Sequence, residues 1–246
     1  MILALLSLSA LADSTFDHSH ADFGAFLQGA VSGSGVDYGL LASRRARLDS
    51  YLMSVAAAPV GDFSADQKIA FYVNAYNAYT LKTILDELPI DSILKLDDGK
   101  VWDVRQFAVG GETLTLNGIE HGKARKLADG RIHSVLNCAS KGCPPLPPSP
   151  LVPTGMEAQL DAAAGRWAAT NAFTMSGTQV GVNKIFDWYS DDFTDASKGD
   201  IDGVDGKEEN ALWFLVNHVD EATAAKFKAG GLTVTWQDYD WSLNAK

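Results

Sequence analysis

The stretch from residue 63 to residue 88 constrains the fold most, because its pattern predicts one long helix. Ser64 and Gln67 form a capping box at its start, and Pro89 prevents it from continuing. Its apolar residues fall on one stripe of a helical wheel, as expected for a helix that packs against a core. This stripe consists of Ala70, Phe71, Ala78, Leu81, Ile84, Leu85 and Leu88.

Two asparagines interrupt this apolar stripe. Asn74 lies near its centre, and Asn77 lies within it. An amide in such a place must find hydrogen-bond partners, because burial of an unpaired polar group is costly. Either the two side chains hold buried main chain, or one of them orients a histidine or donates to an oxyanion. We therefore include both among the candidate catalytic residues.

The rest of the sequence predicts short strands and helices without a repeating strand–helix–strand order. The residues around Gly110–Gly111 predict a hairpin, and Asn117 with Glu120 predicts a capped helix. Residues 131–138 read as a strand. We expect an α+β fold with mixed helices around a small, mostly antiparallel sheet, in a single globular domain over residues 13–246.

The charge of the chain argues against one large class of function. The 246 residues include 20 lysines and arginines against 31 aspartates and glutamates, a formal net charge of −11. Such an acidic protein repels a phosphate backbone, and its densest basic clusters, residues 43–47 and 123–126, are short. We expect no binding to nucleic acid.

The sequence contains no motif for a metal or a cofactor, and we expect neither. Two cysteines are too few for a four-cysteine zinc site in one chain, and no paired cysteine and histidine spacing is present. Residues 200–209 resemble a calcium loop in composition. They depart from the EF-hand register, because Val204 occupies a ligand position, so we expect a solvated loop.

Residues 1–12 resemble a secretory signal peptide. An apolar run that is too short to cross a bilayer ends in the small-residue pattern Ala10-Leu11-Ala12. The basic segment that usually precedes such a run is missing. We expect cleavage after Ala12 and a periplasmic or secreted protein. We expect no span of a membrane, since no second apolar run approaches the necessary length.

Several blocks of the sequence resemble one family. Residues 71–85, FYVNAYNAYTLKTIL, are similar to its FWxNxYNAxTL signature, and residues 118–121 to its IEH segment. Residues 131–146 are close to its RIHxALxCASxxCPPL block, and residues 182–193 to its LSKIFxWYxxDF block. With a C-terminal block at residues 239–244, YDWSLN, which is similar to the usual end of the family, they cover most of residues 64–244 in order. The family is the domain of unknown function 547, and the resemblance implies little about activity.

Cys138 and Cys143 are the strongest candidates for chemistry. Four residues separate them, and prolines follow. In an exported protein they could form a local disulfide. Alternatively, Cys138 is a nucleophile, which needs a base and an oxyanion site. A reversible redox pair is the third alternative, although the spacing is not the CxxC of thioredoxin-like proteins.

Two histidines could serve Cys138 as a base. If residues 131–138 form a regular strand, His133 and Cys138 point to opposite faces, so His133 cannot reach the sulfur unless the strand bends. His121, in the predicted helix, is the other candidate. For each histidine, a structural hydrogen-bonded role is the alternative.

Four further residues are candidate binding residues. Glu120 belongs either to the capping box or to the site. Arg131 and Cys143 lie in the block that surrounds Cys138, and Lys184 follows a predicted strand. A surface salt bridge is the alternative for the lysine.

Aromatic residues are frequent in the last third of the chain. We expect Trp188 and its neighbours to be packed in the core and Trp241 to pack the C-terminal segment onto the body. A carbohydrate or peptide groove lined by these rings is the alternative.

Two classes of function follow from these residues. The first is a thiol-dependent hydrolase or acyl transferase that acts on a peptide or an amide, with Cys138 as nucleophile. The second is a non-catalytic binding or envelope-associated module, in which Cys138 and Cys143 form a structural disulfide. The sequence identifies neither a substrate nor a protein partner.

Overall fold

The computed structural model describes residues 16–33, 35–194 and 199–246, so the predicted signal peptide lies outside the described residues. The described helices are α1 (Ala21–Leu27), α2 (Tyr38–Ser43), α3 (Arg45–Ala57), α4 (Ala65–Glu87), α5 (Val101–Val104), α6 (Leu116–Glu120), α7 (Met156–Ala168), α8 (Lys184–Trp188), α9 (Gly206–Val216) and α10 (Glu221–Ala229). The described strands are β1 (Val31–Ser32), β2 (Gly35–Val36), β3 (Phe107–Val109), β4 (Glu112–Leu114), β5 (Phe173–Ser176), β6 (Gln179–Val182) and β7 (Thr233–Trp236).

This mixture confirms the α+β class. Within the described residues, the strands are divided over three small sheets rather than gathered in one. Strands β1 and β2 form one antiparallel pair, and β3 and β4 form the predicted hairpin around Gly110 and Gly111. The third sheet has the order β5-β6-β7, in which β5 and β6 are antiparallel while β6 and β7 are parallel.

Helix α4 is the predicted long helix, and it is more deeply buried than its apolar stripe suggests. Both hydrogen bonds of the Ser64–Gln67 capping box are present. Every residue from Ile69 to Leu81 is buried, so the middle of the helix is surrounded by protein on all sides. It packs against α3 and α6. Tyrosine and small residues on the face opposite the stripe make this full burial possible.

The predicted strand over residues 131–138 is wrong. Gly130–Ser134 is a 3-10 helix, and irregular chain follows it. Asp129 caps this turn by accepting from the Arg131 N–H. The Asn77 amide then bonds the carbonyl of Val135 and the N–H of Asn137, groups that a sheet ladder would otherwise occupy. The argument that placed His133 and Cys138 on opposite faces of a strand therefore does not apply.

The predicted capping box at Asn117 and Glu120 is also wrong. The Thr115 hydroxyl caps α6 by accepting from the Gly118 N–H, because the Asn117 side chain donates to Asp103 instead. The helix ends at Glu120, which leaves this carboxylate at the end of α6. Its position is compatible with the second interpretation, in which Glu120 belongs to the site.

The described residues form two hydrophobic clusters that meet at α7. The first is built around α1, α3 and α4. The second contains α8, α9 and the sheet β5-β6-β7, with Trp167 stacked on Phe186 at 4.6 Å between ring centroids. Leu160 of α7 belongs to the first cluster, and Ala164 belongs to the second. None of the described helices is both long and apolar enough to cross a membrane.

We predict that Asn77→Ala destabilises the protein strongly. The substitution leaves the carbonyl of Val135 and the N–H of Asn137 unsatisfied in a buried place, at a cost of about 3 kcal/mol. Thermal unfolding would show a Tm lower by roughly 6–12 °C for a protein of this size. The exposed Lys226→Ala is the control and should leave the Tm unchanged. Equal Tm values for the two variants would contradict the role of this amide.

Candidate functional site

A cavity of about 310 Å³ is lined by residues of both hydrophobic clusters, such as Tyr76 of the first and Ile185 of the second. Five of the nine site residues proposed from the sequence line it: Glu120, His121, His133, Cys138 and Cys143. They come from the end of α6, from the 3-10 turn at Gly130–Ser134 and from the irregular chain that follows. The fold therefore brings together the thiols, both histidines and one carboxylate.

The chain around Cys138 is held by a buried asparagine. The side-chain oxygen of Asn137 accepts from the N–H of Ala139 at 3.0 Å, and its amide nitrogen donates to the carbonyl of Pro144 at 2.8 Å. Ala139 has a φ of 61° and is fully buried. A left-handed alanine is strained, and strained residues of this kind cluster at functional sites.

A C-terminal segment completes the surroundings of Cys138. Lys141 N–H donates to the carbonyl of Ser242, and Gly142 N–H donates to that of Asp240. This pairing places the ring of Tyr239 against Gly142. A Cβ atom at Gly142 would lie 3.0 Å from that ring, so glycine permits the close approach.

The Cys138 sulfur lies among hydrogen-bonding groups. It is 3.1 Å from the Ser140 hydroxyl, 3.0 Å from the Tyr239 hydroxyl and 2.8 Å from the Cys143 sulfur. The Tyr239 oxygen accepts from Ser140 at 3.0 Å, which leaves the tyrosine hydrogen to point at the sulfur. Cys138 itself is partly exposed, whereas Cys143 is buried.

These contacts shift the pKa values of the two thiols in opposite directions. Burial raises the pKa of the Cys138 thiol, but the hydrogen bonds with Cys143, Ser140 and Tyr239 outweigh it and leave the pKa below its usual value. Burial raises the pKa of the Cys143 thiol well above its usual range, and the neighbouring Cys138 adds to this. Cys138 is therefore the thiol of the pair that ionises first.

His133 is oriented by a carboxylate that the sequence analysis did not single out. Its Nε2 lies 2.7 Å from Asp192 Oδ2, and its ring stacks on Tyr189 at 4.5 Å. Burial raises the pKa of Asp192, but hydrogen bonds from His133 and Arg125 hold it well below its usual value. An ionised carboxylate only accepts, so His133 Nε2 carries a hydrogen, and Nδ1 is the basic nitrogen of the neutral ring.

Arg125 connects the second histidine to the same carboxylate. Its Nε donates to Asp192 Oδ2 at 2.7 Å, and its Nη1 donates to His121 Nδ1 at 2.8 Å. Arginine has no acceptor, so His121 Nδ1 accepts, and the hydrogen of the neutral ring is on Nε2. The two histidines therefore differ. The Nδ1 atom of His133 can accept a proton, whereas the Nε2–H group of His121 can donate a hydrogen bond.

Neither histidine is hydrogen-bonded to the thiol. Within the part of the chain that the structure describes, no hydrogen bond joins the Cys138 sulfur to His121 or His133. All three side chains nevertheless line the one cavity. A substrate in the cavity could therefore contact the sulfur and both rings.

The other four proposed site residues lie elsewhere. Asn74 exchanges two hydrogen bonds with the main chain of Leu151, and Asn77 bonds the main chain before Cys138, so their amides hold backbone and contact neither histidine. Arg131 and Lys184 are not among the residues that line the cavity. Their ion-pair partners are exposed or half-buried carboxylates: Asp129, Glu157 and Asp161 for Arg131, and Asp187 for Lys184.

Aromatic rings form one wall of the cavity. The wall consists of Trp102, Trp188, Tyr239 and Trp241. Adjacent rings are 4.5–5.9 Å apart between centroids. Trp188 is 43% exposed, so the expectation that it is packed in the core is wrong. Its position at the end of α8, just before the turn that carries Asp192, places it at the cavity instead.

The acidic stretch at residues 200–209 does not assemble a metal site in this structure. Among residues 16–33, 35–194 and 199–246, no group of three or more histidine, cysteine, aspartate and glutamate side chains is placed to hold a metal ion. Glu209 accepts from the N–H of Ile201, and a bridge joins Ile201 to Val204.

The comparisons with known proteins find one family model that matches part of the chain. Residues 60–167 match the family model described as Protein of unknown function, DUF547. The resemblance is confirmed over that part of the chain. The DUF547 segment contains α4, α6 and the chain around Cys138, whereas Asp192 and Tyr239 lie beyond it. No curated protein and no solved structure matches the chain.

Four residues of the candidate site were not singled out by the sequence analysis: Arg125, Ser140, Asp192 and Tyr239. Three of them lie in the blocks that carried the family resemblance, which was the available signal. Arg125 was visible only as part of a short basic cluster.

We predict that Tyr239→Phe raises the pKa of the Cys138 thiol, because a hydrogen bond that stabilises the thiolate is lost. The thiolate fraction at neutral pH then falls, and so does the rate of alkylation by iodoacetamide. The measurement is the rate as a function of pH, with the alkylated residue identified by peptide mass. Tyr79→Phe is the matched control, since the Tyr79 hydroxyl donates to the carbonyl of Ala108. Coincident profiles for the wild type and Tyr239→Phe would rule out this role of the tyrosine.

Proposed function

We propose that this protein is a thiol-dependent hydrolase or acyl transferase that acts on a peptide or amide substrate. The observation that carries the proposal is the environment of the Cys138 sulfur: a partly exposed thiol with hydrogen-bonding neighbours, in a cavity that also holds two histidines. Thiol nucleophiles require a lowered pKa, a base and a donor for the oxyanion. The apolar start of the sequence favours a periplasmic or secreted location, which is part of this proposal.

The proposed reaction begins with the ionised thiol. In that ionisation the neutral Cys138 thiol gives its proton to His133 Nδ1, and Asp192 balances the resulting imidazolium charge through Nε2. The Cys138 sulfur then attacks the carbonyl carbon of the amide, a sulfur–carbon bond forms, and the carbonyl electron pair moves to oxygen. His121 Nε2–H is the proposed donor to this oxyanion, because Arg125 occupies Nδ1.

The tetrahedral intermediate collapses with cleavage of the carbon–nitrogen bond. His133 returns its proton to the leaving amine, and a thioester on Cys138 remains. Water completes a hydrolysis, and an amine completes an acyl transfer. The asparagines proposed from the sequence have no part in these steps, because Asn74 and Asn77 hold main chain.

A peptide chloromethyl ketone tests the proposal, since the thiolate displaces chloride and becomes permanently labelled. We expect one label on Cys138 in the wild type and none in Cys138→Ser. His133→Ala and Asp192→Asn should slow labelling at least about tenfold, because each removes part of the general base. Asp49→Asn, an exposed carboxylate paired with Arg45, is the control and should label at the wild-type rate. Labelling of Cys138→Ser at the wild-type rate would sink the proposal.

A non-catalytic module with a structural disulfide is the second candidate. The observation in its favour is the 2.8 Å approach of the two sulfur atoms, which is closer than a non-bonded contact although longer than a disulfide bond. Formation of the bond would need only a small movement. In this candidate the histidines and Asp192 support the fold.

Reduction separates the two candidates. If a Cys138–Cys143 bond closes a six-residue loop, it contributes about 2 kcal/mol, and dithiothreitol lowers the Tm by roughly 4–8 °C. If both thiols are free, as the hydrolase requires, dithiothreitol leaves the Tm unchanged. The thermal scan is run on the protein purified without reductant, and alkylation without reduction, followed by mass measurement, counts the free thiols. A thiol count of two together with an unchanged Tm eliminates the disulfide module.

A further inference from the structure

The cavity around Cys138 carries an excess of negative charge. Two carboxylates line it, Glu120 and Asp103, and among the described residues that line it there is no lysine or arginine. Arg125 is nearby, but its hydrogen bonds go to Asp192 and His121.

Glu120 is the less expected of the two carboxylates, because only 7% of it is exposed. A buried carboxylate normally has a cationic partner. Here its hydrogen-bonding neighbour is the hydroxyl of Tyr76, whose pKa burial and the Glu120 charge raise well above the usual value. Arg125 interacts with Glu120 through its charge, while its hydrogen bonds go to Asp192 and His121. The ring of His121 approaches within 3.9 Å through Nδ1, but that nitrogen accepts from Arg125 and has no hydrogen to give.

The aromatic wall faces the same space as these carboxylates. Three indole rings and one phenol ring present electron-rich faces, and such faces attract cations. Trp188, which is 43% exposed, extends this wall to the solvent. Asp103 is also exposed, so a ligand entering the cavity meets both an aromatic ring and a carboxylate.

We propose that the Cys138 cavity selects substrates with a positively charged group, an ammonium or a guanidinium, which lies between Glu120 and the tryptophans. This inference rests on the proposed function and adds a substrate class to it. The net charge of −11 acts in the same direction, because an acidic protein attracts cationic ligands over distance. A lysine or arginine side chain next to the cleaved amide has the required chemistry.

Equilibrium binding tests the inference without any catalytic step. The Cys138→Ser protein is titrated with N-acetyl-lysine methylamide, and separately with the norleucine and glutamate analogues, while tryptophan fluorescence is followed. We expect the lysine compound to bind at least about tenfold more tightly than norleucine, as one desolvated cation–carboxylate or cation–π contact provides. Equal binding of lysine and norleucine, tighter binding of glutamate, or no binding of any of the three would overturn the inference.

Substitutions in the cavity test which residues produce the preference for lysine. Glu120→Gln keeps an acceptor for Tyr76 and should reduce the lysine preference about tenfold, whereas Glu221→Gln removes an equal charge from an exposed position in α10 and should not change it. Trp188→Leu changes an exposed side chain, so it should lower the affinity for lysine while the Tm is retained. If the lysine preference survives in both Glu120→Gln and Trp188→Leu, the cavity is not its source.

The labelling reaction distinguishes the proposal of a thiol enzyme from the proposal of a cationic substrate. Chloromethyl ketones of acetyl-lysine and acetyl-norleucine are compared on the wild-type protein. Faster labelling of Cys138 by the lysine compound supports both proposals. Labelling at equal rates supports the thiol enzyme and overturns the cationic substrate. A lysine preference in binding with no label on Cys138 supports the cationic ligand and overturns the enzyme.

Discussion

Side-chain amides form hydrogen bonds with the main chain that carries the two thiols, as neighbouring strands would do in a sheet. Asn77 and Asn137 bond the chain on either side of Cys138, and Asn171 and Asn183 donate to carbonyl groups of residues 141–143. A buried irregular segment is stable only when such partners exist, because unpaired main-chain groups are costly. The position of the Cys138 sulfur, and thus the whole site, depends on these amides. Asn77 lies on α4 of the first hydrophobic cluster, and Asn183 lies between Val182 and Ile185 of the second, so the site also depends on how the clusters fit together.

Asp192 positions the histidines and the arginine of the site, as the amides position its main chain. One oxygen of this carboxylate accepts from both His133 and Arg125, and Arg125 in turn donates to His121. Asp192 therefore determines which nitrogen of His133 carries hydrogen, and the arginine that it holds determines this for His121. Two chemically identical side chains thereby acquire different roles, one basic and one donating. The difference arises from their partners and not from the residue type.

Elements with strong local signals could be predicted from the sequence. The capping box and apolar stripe specify α4, and paired glycines specify the hairpin β3–β4. The segment after Asp129 was mistaken for a strand because its apolar and polar residues alternate. What decides its conformation is Asn77, which lies 58 residues before Val135 in the sequence and bonds it in space. No local pattern contains that information.

The candidate site, like the fold, could be predicted only in part from the sequence. Cys138, the histidines and Glu120 could be selected by residue type, and they do share one cavity. Asp192 lies 59 residues from His133, so no spacing rule connects the two. The amides of Asn74 and Asn77 could be foreseen to need partners, but only the structure shows that these partners are main-chain groups. Residue types suggest the chemistry, and tertiary contacts assign the roles.

The contact between Tyr239 and Cys138 spans 101 residues of sequence. During synthesis from the N-terminus, Cys138 is made before Tyr239. His121 and His133 are likewise made before Asp192. Until residues 239–244 dock beside residues 139–142, the sulfur lacks the donor that favours its ionised form. The tyrosine that favours the ionised form of the Cys138 thiol therefore reaches the sulfur only after the C-terminal segment has docked.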